Sequence, residues 1–296
     1  MRISLVMPSF NQGRFIARAL ASVLDTADAA DQVIVLDNLS TDGTSDVLAG
    51  LTARHPDRLT VLRAADGGQA EALNRGFARV TGDLVGWLNA DDVLADGALA
   101  RMRALFDARP GLALAHGQAR WIDAAGRDLG AYPVLPDGQK YDFHEGCFVC
   151  QPTVLLRRAA LQALGPLDEA LETAMDLDLW LRAWARYPGK IGFVPEVQAL
   201  QRLHGGAKTE RLRALVFVES MQVLHRHGLG VPERWPLSYA EEVAAGTAPA
   251  DGWPAVRAAY GAAAGPEALV ALDARIAADS AFAALHSHPS SSSRAR

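Results

Sequence analysis

Gln32-Val33-Ile34-Val35-Leu36-Asp37-Asn38-Leu39-Ser40-Thr41-Asp42-Gly43-Thr44 is the stretch that decides the fold. Residues 32–36 form a short, nearly all-aliphatic run, which reads as a buried strand rather than a surface one. The run ends on Asp37 and enters a polar turn. Ser40-Thr41-Asp42-Gly43 then supplies capping oxygens for a helix over residues 44–53. The same strand, polar turn and helix recur on either side. Residues 3–7 read as a buried strand followed by Pro8, Ser9, Phe10 and Asn11. A helix over 13–24 comes next, with Phe15, Ile16, Ala19, Leu20 and Val23 at helical spacing. Residues 59–62 form a third strand, and Asp66-Gly67-Gly68-Gln69 leads into a helix over 70–80. Residues 84–88 form a fourth, followed by Asn89, Asp91 and Asp92 and a helix over 97–106. This alternation predicts an α/β fold: a Rossmann-like, mainly parallel central sheet flanked by helices.

The rest of the chain is less regular. Strands are expected at 113–122, 152–156, 191–194 and 197–203. Helices are expected at 159–164, 174–184 and, as one long element, 208–227. Beyond Gly228 the composition turns to Ala, Pro and Gly, with further helices over 253–285, and the Ser-rich end reads as disordered. The expected organisation is an α/β domain over 1–207, a C-terminal helical region over 208–286 and a disordered tail over 287–296. With 296 residues, half of them hydrophobic, the chain can bury a sizeable core. Its net charge of -5 argues against a nucleic-acid partner, whose phosphates call for a basic face. No apolar run reaches the length of a membrane span. The start carries no signal-peptide pattern, so a cytoplasmic location is expected, with attachment to the inner face of the plasma membrane left open. Cys147 and Cys150 form a C-x-x-C in an apolar run. With only His144 nearby to complete a zinc site, they read as reduced, buried small hydrophobes.

In parallel sheets ligands bind beyond the carboxyl ends of the strands. The four amino-terminal strands therefore deliver Asn11, Asp37, Asp66 and the Asn89–Asp92 segment to one rim. Any one of these could be a turn residue or a cap, and Asp91-Asp92 could simply cap the helix near Gly97. Together they suit a phosphate-bearing ligand with a divalent cation, which one or two carboxylates can hold with the help of the phosphates themselves. His204, at the end of a predicted strand, is a second candidate ligand, and Arg202 and Lys208 could meet phosphate. Asp176 and Asp178 open the helix over 174–184. Asp178 suits the helix dipole, whereas Asp176 precedes the first full turn, where its carboxylate can face a cleft and act as a base.

These motifs resemble the family-2 glycosyltransferases, which have the GT-A fold. The resemblance is carried by Pro8-Ser9-Phe10-Asn11-Gln12-Gly13-Arg14-Phe15-Ile16, the 33–44 segment quoted above, and Gly67-Gly68-Gln69-Ala70-Glu71-Ala72-Leu73-Asn74-Arg75-Gly76. It continues through Gly82-Asp83-Leu84-Val85-Gly86-Trp87-Leu88-Asn89-Ala90-Asp91-Asp92, Gln151-Pro152-Thr153, Met175-Asp176-Leu177-Asp178-Leu179-Trp180-Leu181-Arg182 and Arg202-Leu203-His204. The resemblance implies an inverting transfer of a hexosyl or N-acetylhexosaminyl group from a nucleotide sugar to a glycan or lipid-linked acceptor, in cell-surface polysaccharide synthesis. It implies that Pro8, Phe10, Asn11 and Asp37 line the nucleobase pocket. Asp66, Gln69, Asn74, Asn89 and Ala90 would lie along the ribose and diphosphate. Asp91 and His204 would hold Mn²⁺ or Mg²⁺, with Asp92 in reserve, and Asp176 would be the catalytic base. Pro152 and Thr153 would lie on the acceptor side. An Asp37 pocket suits uracil N3–H, which favours UDP; thymine presents the same group. Two positions depart from the usual pattern. Asn89 replaces the first Asp of the Asp-x-Asp motif, and Met175 stands where many relatives carry Glu. Two other readings remain at this stage. A nucleotidyltransferase would be expected to carry a Gly-rich phosphate loop, which is not obvious here. A nucleotide-sugar-binding protein without turnover is favoured only by Asn89.

Overall fold

The four apolar runs of the amino-terminal half become adjacent strands. A computed structural model describes residues 1–135, 143, 146–282 and 285. Strands β1 (Ile3–Ser9), β2 (Gln32–Asp37), β3 (Leu59–Arg63) and β4 (Leu84–Trp87) lie parallel in the order β3-β2-β1-β4. β1, β2 and β4 are buried almost throughout, which is why they read as unbroken hydrophobic runs, while β3 at the edge is partly exposed. Helices α1 (Ile16–Leu24), α2 (Thr44–Arg54), α3 (Gln69–Phe77) and α4 (Ala98–Ala108) connect and flank these strands. The cap of α2 differs in detail from the expectation. Gly43 occupies the cap with φ 89°, and Asp42, one residue earlier, accepts from the Thr44 N–H at 3.1 Å.

Beyond β4 the sheet becomes mixed. β5 (Val93–Leu94), β6 (Leu114–Ile122), β7 (Asp128–Ala131), β8 (Leu155–Arg157) and β9 (Ile191–Arg202) extend it in the order β4-β8-β6-β9-β5, with β7 beside β6. β6 and β9 run with the first four strands, whereas β8, β5 and β7 run against them. β9 merges the two strands expected at 191–194 and 197–203. Its register skips Pro195 and Glu196 between Val194 and Val197, a bulge that accommodates the proline. Residues 151–153 form a 3₁₀ turn rather than the start of a strand, and β8 begins after it. α5 (Arg158–Leu164) and α6 (Met175–Arg186) complete this part. α6 is anchored on the sheet by Trp180, whose ring stacks on Trp87 of β4 at 5.7 Å and 13°.

α3 presses closely on the sheet. A Cβ at Gly76 would lie 2.3 Å from Val6 Cγ1 and 3.0 Å from Leu36 Cδ2. Gly76→Ala should therefore destabilise the fold by about 1–2 kcal/mol: overpacking costs about 1–3, and the better helix propensity of Ala offsets part of it. A melting temperature several degrees lower checks this, and an unchanged one would mean that α3 shifts without strain.

The chain divides into two compact units, one of Met1–Tyr141 with Phe148–His204 and one of Asp142–Cys147 with Gly205–Arg296. The boundary thus falls three residues before the expected 207/208, and an excursion at 142–147 joins the second unit. That unit contains α7 (Lys208–Arg211), α8 (Arg213–Arg226), α9 (Arg234–Ala244), α10 (Trp253–Ala264) and α11 (Pro266–Ala278). The helix expected over 208–227 breaks at Leu212. α9 was not expected; its Pro236 lies in the first turn, where proline is tolerated. Phe217 packs against Trp235 and Tyr239, and Arg213 pairs with Glu242 through Nε and Nη2. Cys150 is buried and Cys147 partly exposed, while His144 and the tail expected over 287–296 lie outside the described residues. Among the described residues no helix is long and apolar enough to cross a membrane.

Candidate active site

The short strand β5 organises the rim. Val93 pairs with Leu200 and Leu94 with Ala199, which draws the Asn89–Asp92 segment against the end of β9. There the two adjacent carboxylates separate. Asp91 Oδ2 lies 3.0 Å from His204 Nε2, and both side chains keep some solvent access, 17% and 13%. Asp92 turns inward and is buried. Its Oδ1 accepts from the Arg202 N–H at 2.8 Å and its Oδ2 from Asn89 Nδ2 at 3.3 Å. Burial, reinforced by the neighbouring Asp91, holds the Asp92 carboxyl well above the usual carboxylate range. Asp92 thus serves as an internal post, and both its oxygens are engaged. Neither Asp caps α4, whose N-cap is Gly97.

Arg202 joins these groups. Its Nε donates to the Asp91 carbonyl at 2.7 Å and its Nη1 to the Asp123 carbonyl at 2.8 Å. Its guanidinium stands 4.9 Å from the centre of the Phe15 ring, and that ring lies 4.8 Å from His204. Asn89 bridges two directions, accepting from Gln69 Nε2 at 2.9 Å while donating to Asp92. The structure therefore brings Gln69, Asn89, Ala90, Asp91, Asp92 and His204 together. The importance of Arg202 and Phe15 to this cluster goes beyond what sequence reasoning assigned; the aromatic residue at the N-cap of α1, on the same rim, was the available signal.

The neighbouring rim is a set of interlocked loops. Asn11 and Leu39 are the two non-glycine residues with positive φ among the described residues, 53° and 52°. Asn11 Oδ1 accepts from the Thr41 N–H at 2.9 Å, and its own N–H donates to Ser40 Oγ at 2.8 Å. A left-handed leucine is unfavourable by about 1–2 kcal/mol, and such conformations tend to cluster at functional sites. Asp37 is buried beneath this loop, accepting from Ser40 and, at 3.3 Å, from Arg63 Nε. Its side chain has no exposed surface, so a base N–H would reach it only if Ser40 or Arg63 moved. Asp66 accepts from Asn38 Nδ2 at 2.9 Å and from the Gly68 N–H, and desolvation raises its pKa. Pro8 is partly exposed, and Phe10, 58% exposed, presents an open ring. Asn74 is committed elsewhere. Its amide bonds the Leu167 backbone at 2.9 and 3.0 Å and Glu169 at 2.9 Å, pinning that segment to α3.

Asp176 lies in the first turn of α6, one turn before Trp180 and on the same face of the helix. Its Oδ1 accepts from the Leu177 N–H at 2.8 Å, and desolvation pushes its pKa up to about 6. A carboxylate that titrates there is basic enough to take a proton near neutral pH and is still ionised at pH 7. Its neighbour Asp178 is buried and paired with Arg182 at 2.9 Å. Gln151 Nε2 donates to the Trp87 carbonyl at 2.8 Å, fixing the turn with Pro152 and Thr153 against the end of β4.

Among the described residues no group of three or more His, Cys, Asp and Glu side chains is placed to hold a metal. One carboxylate oxygen and one imidazole nitrogen, both reachable, nevertheless suit Mn²⁺ or Mg²⁺ completed by phosphate oxygens.

The model of glycosyl transferase family 2 matches residues 4–165, more than half of the chain. An uncharacterized glycosyltransferase of Nostoc is 29% identical over 226 residues, covering 69% of this chain and 66% of the relative. The O-antigen biosynthesis protein RfbC of Myxococcus xanthus is 32% identical over 196 residues, 66% of this chain and 15% of that protein. The chain thus spans just under two thirds of the first relative's length and a small part of the second's. Among solved structures, S. aureus TarS in complex with UDP-GlcNAc superposes with a TM-score of 0.62 at 18% identity, covering 96% of this chain and 88% of TarS. The mannosyltransferase PcManGT from Pyrobaculum calidifontis, in complex with GDP-Man and Mn²⁺, gives 0.59 at 19% identity, covering 95% and 82%. At these identities the two structures establish the shared GT-A fold.

Proposed function

Since the chain belongs to glycosyl transferase family 2 and is a glycosyltransferase, we propose that it transfers a hexosyl or N-acetylhexosaminyl group from a nucleoside-diphosphate sugar, a UDP-sugar first, to a hydroxyl of a glycan or lipid-linked acceptor, with inversion at the anomeric carbon. The observation that carries this reading is the Asp91–His204 pair on the carboxyl rim of the sheet. The names of relatives lend support: one is an O-antigen biosynthesis protein, and two neighbours were solved with UDP-GlcNAc and with GDP-Man and Mn²⁺. Synthesis of a surface polysaccharide at the cytoplasmic face of a membrane belongs to the same proposal.

In this reading Phe10 stacks on the nucleobase, while Asn11 and Ser40 hold its loop in shape. Pro8 and Asp37 line the same pocket from below. Asp66, Gln69, Asn89 and Ala90 border the ribose and diphosphate, and Asn74 acts through the segment it pins. Asp91 and His204 would hold Mn²⁺ or Mg²⁺, which would supply neutralising charge for the departing nucleoside diphosphate. Asp92 fixes Asn89 and the end of β9 behind them. Asp176 accepts the proton of the acceptor hydroxyl as the new C–O bond forms and the bond to the diphosphate breaks, using the oxygen not bonded to Leu177.

The test is thermal shift with UDP, dTDP, GDP and their sugars, each with Mn²⁺ and with a chelator. A nucleotide at a hundred times its Kd stabilises by about 2.7 kcal/mol, a shift of several degrees. Uridine nucleotides are expected to stabilise only when metal is present. Equal shifts in chelator would remove the metal from Asp91, and no nucleotide shift at all would refute the reading. Product formation from donor and acceptor separates turnover from binding alone.

A further inference from the structure

We propose that Arg14, in the turn before α1, and Arg18, on the exposed face of α1, form with Arg202 a phosphate-binding site adjoining the Asp91–His204 pair. The site takes a phosphoryl group of a bound substrate, either the donor's diphosphate or a phosphate on the acceptor's carrier. This inference rests on the nucleotide-sugar reading for the identity of the substrate but not for the existence of the site.

The geometry centres on Phe15. The Arg14 guanidinium stands 5.0 Å from the centre of its ring, and that of Arg202 stands 4.9 Å from the same point. The ring in turn lies 4.8 Å from His204, which is 3.0 Å from Asp91. Arg18 follows one turn after Arg14 and rests against the turn between β6 and β7, where a Cβ on Gly126 would lie 3.2 Å from its Nη1. Arg202 bonds the same turn through the carbonyl of Asp123. Arg202 thus shares the Phe15 ring with Arg14 and the β6–β7 turn with Arg18.

Their charge is poorly balanced by the protein. Asp123 is paired with Arg127, and Asp92 is buried beneath Arg202. Arg14 and Arg18 are exposed, and among the described residues neither makes an ion pair with a carboxylate. A divalent cation at Asp91 and His204 would raise the positive charge further. An oxyanion is the group that relieves it, and arginine presents the planar fork of donors that suits phosphate.

The experiment measures binding of UDP, uridine, pyrophosphate and inorganic phosphate to the full chain with Mn²⁺. It compares wild type with Arg14→Ala/Arg18→Ala and with the charge-conserving Arg14→Lys/Arg18→Lys. Both side chains are exposed, so the variants should fold, and their melting curves verify it. If the donor's diphosphate is the ligand, the alanine pair weakens UDP about tenfold or more, leaves uridine unchanged, and is partly rescued by lysine. If the acceptor's phosphate is the ligand, UDP is unchanged, and inorganic phosphate binds the UDP-saturated wild type but not the alanine pair. Wild type that binds pyrophosphate through these arginines and no nucleotide at all would keep the site and overturn the nucleotide-sugar reading. UDP, pyrophosphate and phosphate binding the alanine pair as well as wild type would overturn the site.

Discussion

Asp176→Asn is expected to cut sugar transfer by about 10²- to 10⁴-fold and at the same time to raise the melting temperature at pH 8. The loss follows from the role proposed for this carboxylate. A positioned base contributes about 10² to 10⁴ in rate, and an amide cannot take the proton. Donor affinity should be unchanged, because the loss falls on kcat. The stability gain follows from the pKa of about 6, raised by desolvation from 3.8. A carboxyl group whose folded pKa exceeds its unfolded one binds more protons in the folded state. Its contribution is therefore fully present below about pH 4, fades as pH rises towards 6, and is gone above it. Two units correspond to about 3 kcal/mol at most, so wild type carries that penalty at pH 8 and the amide variant does not. The two melting temperatures should differ by several degrees at pH 8 and converge at pH 4. In wild type the pH–rate profile should rise through about pH 6. Transfer that persists in the variant would remove Asp176 as base, and equal melting temperatures at pH 8 would mean its carboxyl is well solvated.

Asp91→Asn comes second in expected effect. The substitution is isosteric and can keep the 3.0 Å contact with His204, so the fold should survive. It removes the one negative charge of the ligand pair at a point where Asn89 already supplies none. Stabilisation of departing diphosphate charge by a bound cation is worth several kcal/mol. A fall of at least about a hundredfold in kcat/KM at saturating Mn²⁺ is expected, since each 1.36 kcal/mol is tenfold. The Mn²⁺-dependent part of the nucleotide thermal shift should fall with it. Activity within a few fold of wild type would show that the cation, if one is used, is held elsewhere.

Much of this architecture was legible before any coordinates. Strands β1 to β4 and their helices announce themselves because each is either an unbroken apolar run or a helix with one apolar face. β5 has two residues and no periodicity, so nothing local marks it; it exists because β9 offers it a partner. The resemblance named Asp91 ahead of Asp92 as ligand, but for the same reason no local pattern could show which one faces outward. The Arg202 N–H and Asn89 amide draw Asp92 inward, which leaves Asp91 to face His204. Asn74 shows the opposite failure. Its motif is right, but its amide is consumed by a segment more than ninety residues away, and no helical pattern reveals such a bond. Asp37 was read correctly as a rim residue, yet its burial under Ser40 and Arg63 depends on the left-handed turn at Leu39, which leucine does not advertise.

The pairing of β5 with β9 has an evolutionary consequence. It brings residues 91 and 204 together from either side of the stretch that carries β6, β7 and the turn at 151–153. Arg202 secures the junction through the Asp91 carbonyl and the Asp92 carboxylate. The bonds that make the junction come from residues 91, 92, 202 and 204, at the two ends of that stretch. A lineage built on this plan can therefore vary the intervening chain while inheriting the Asp91–His204 pair unaltered.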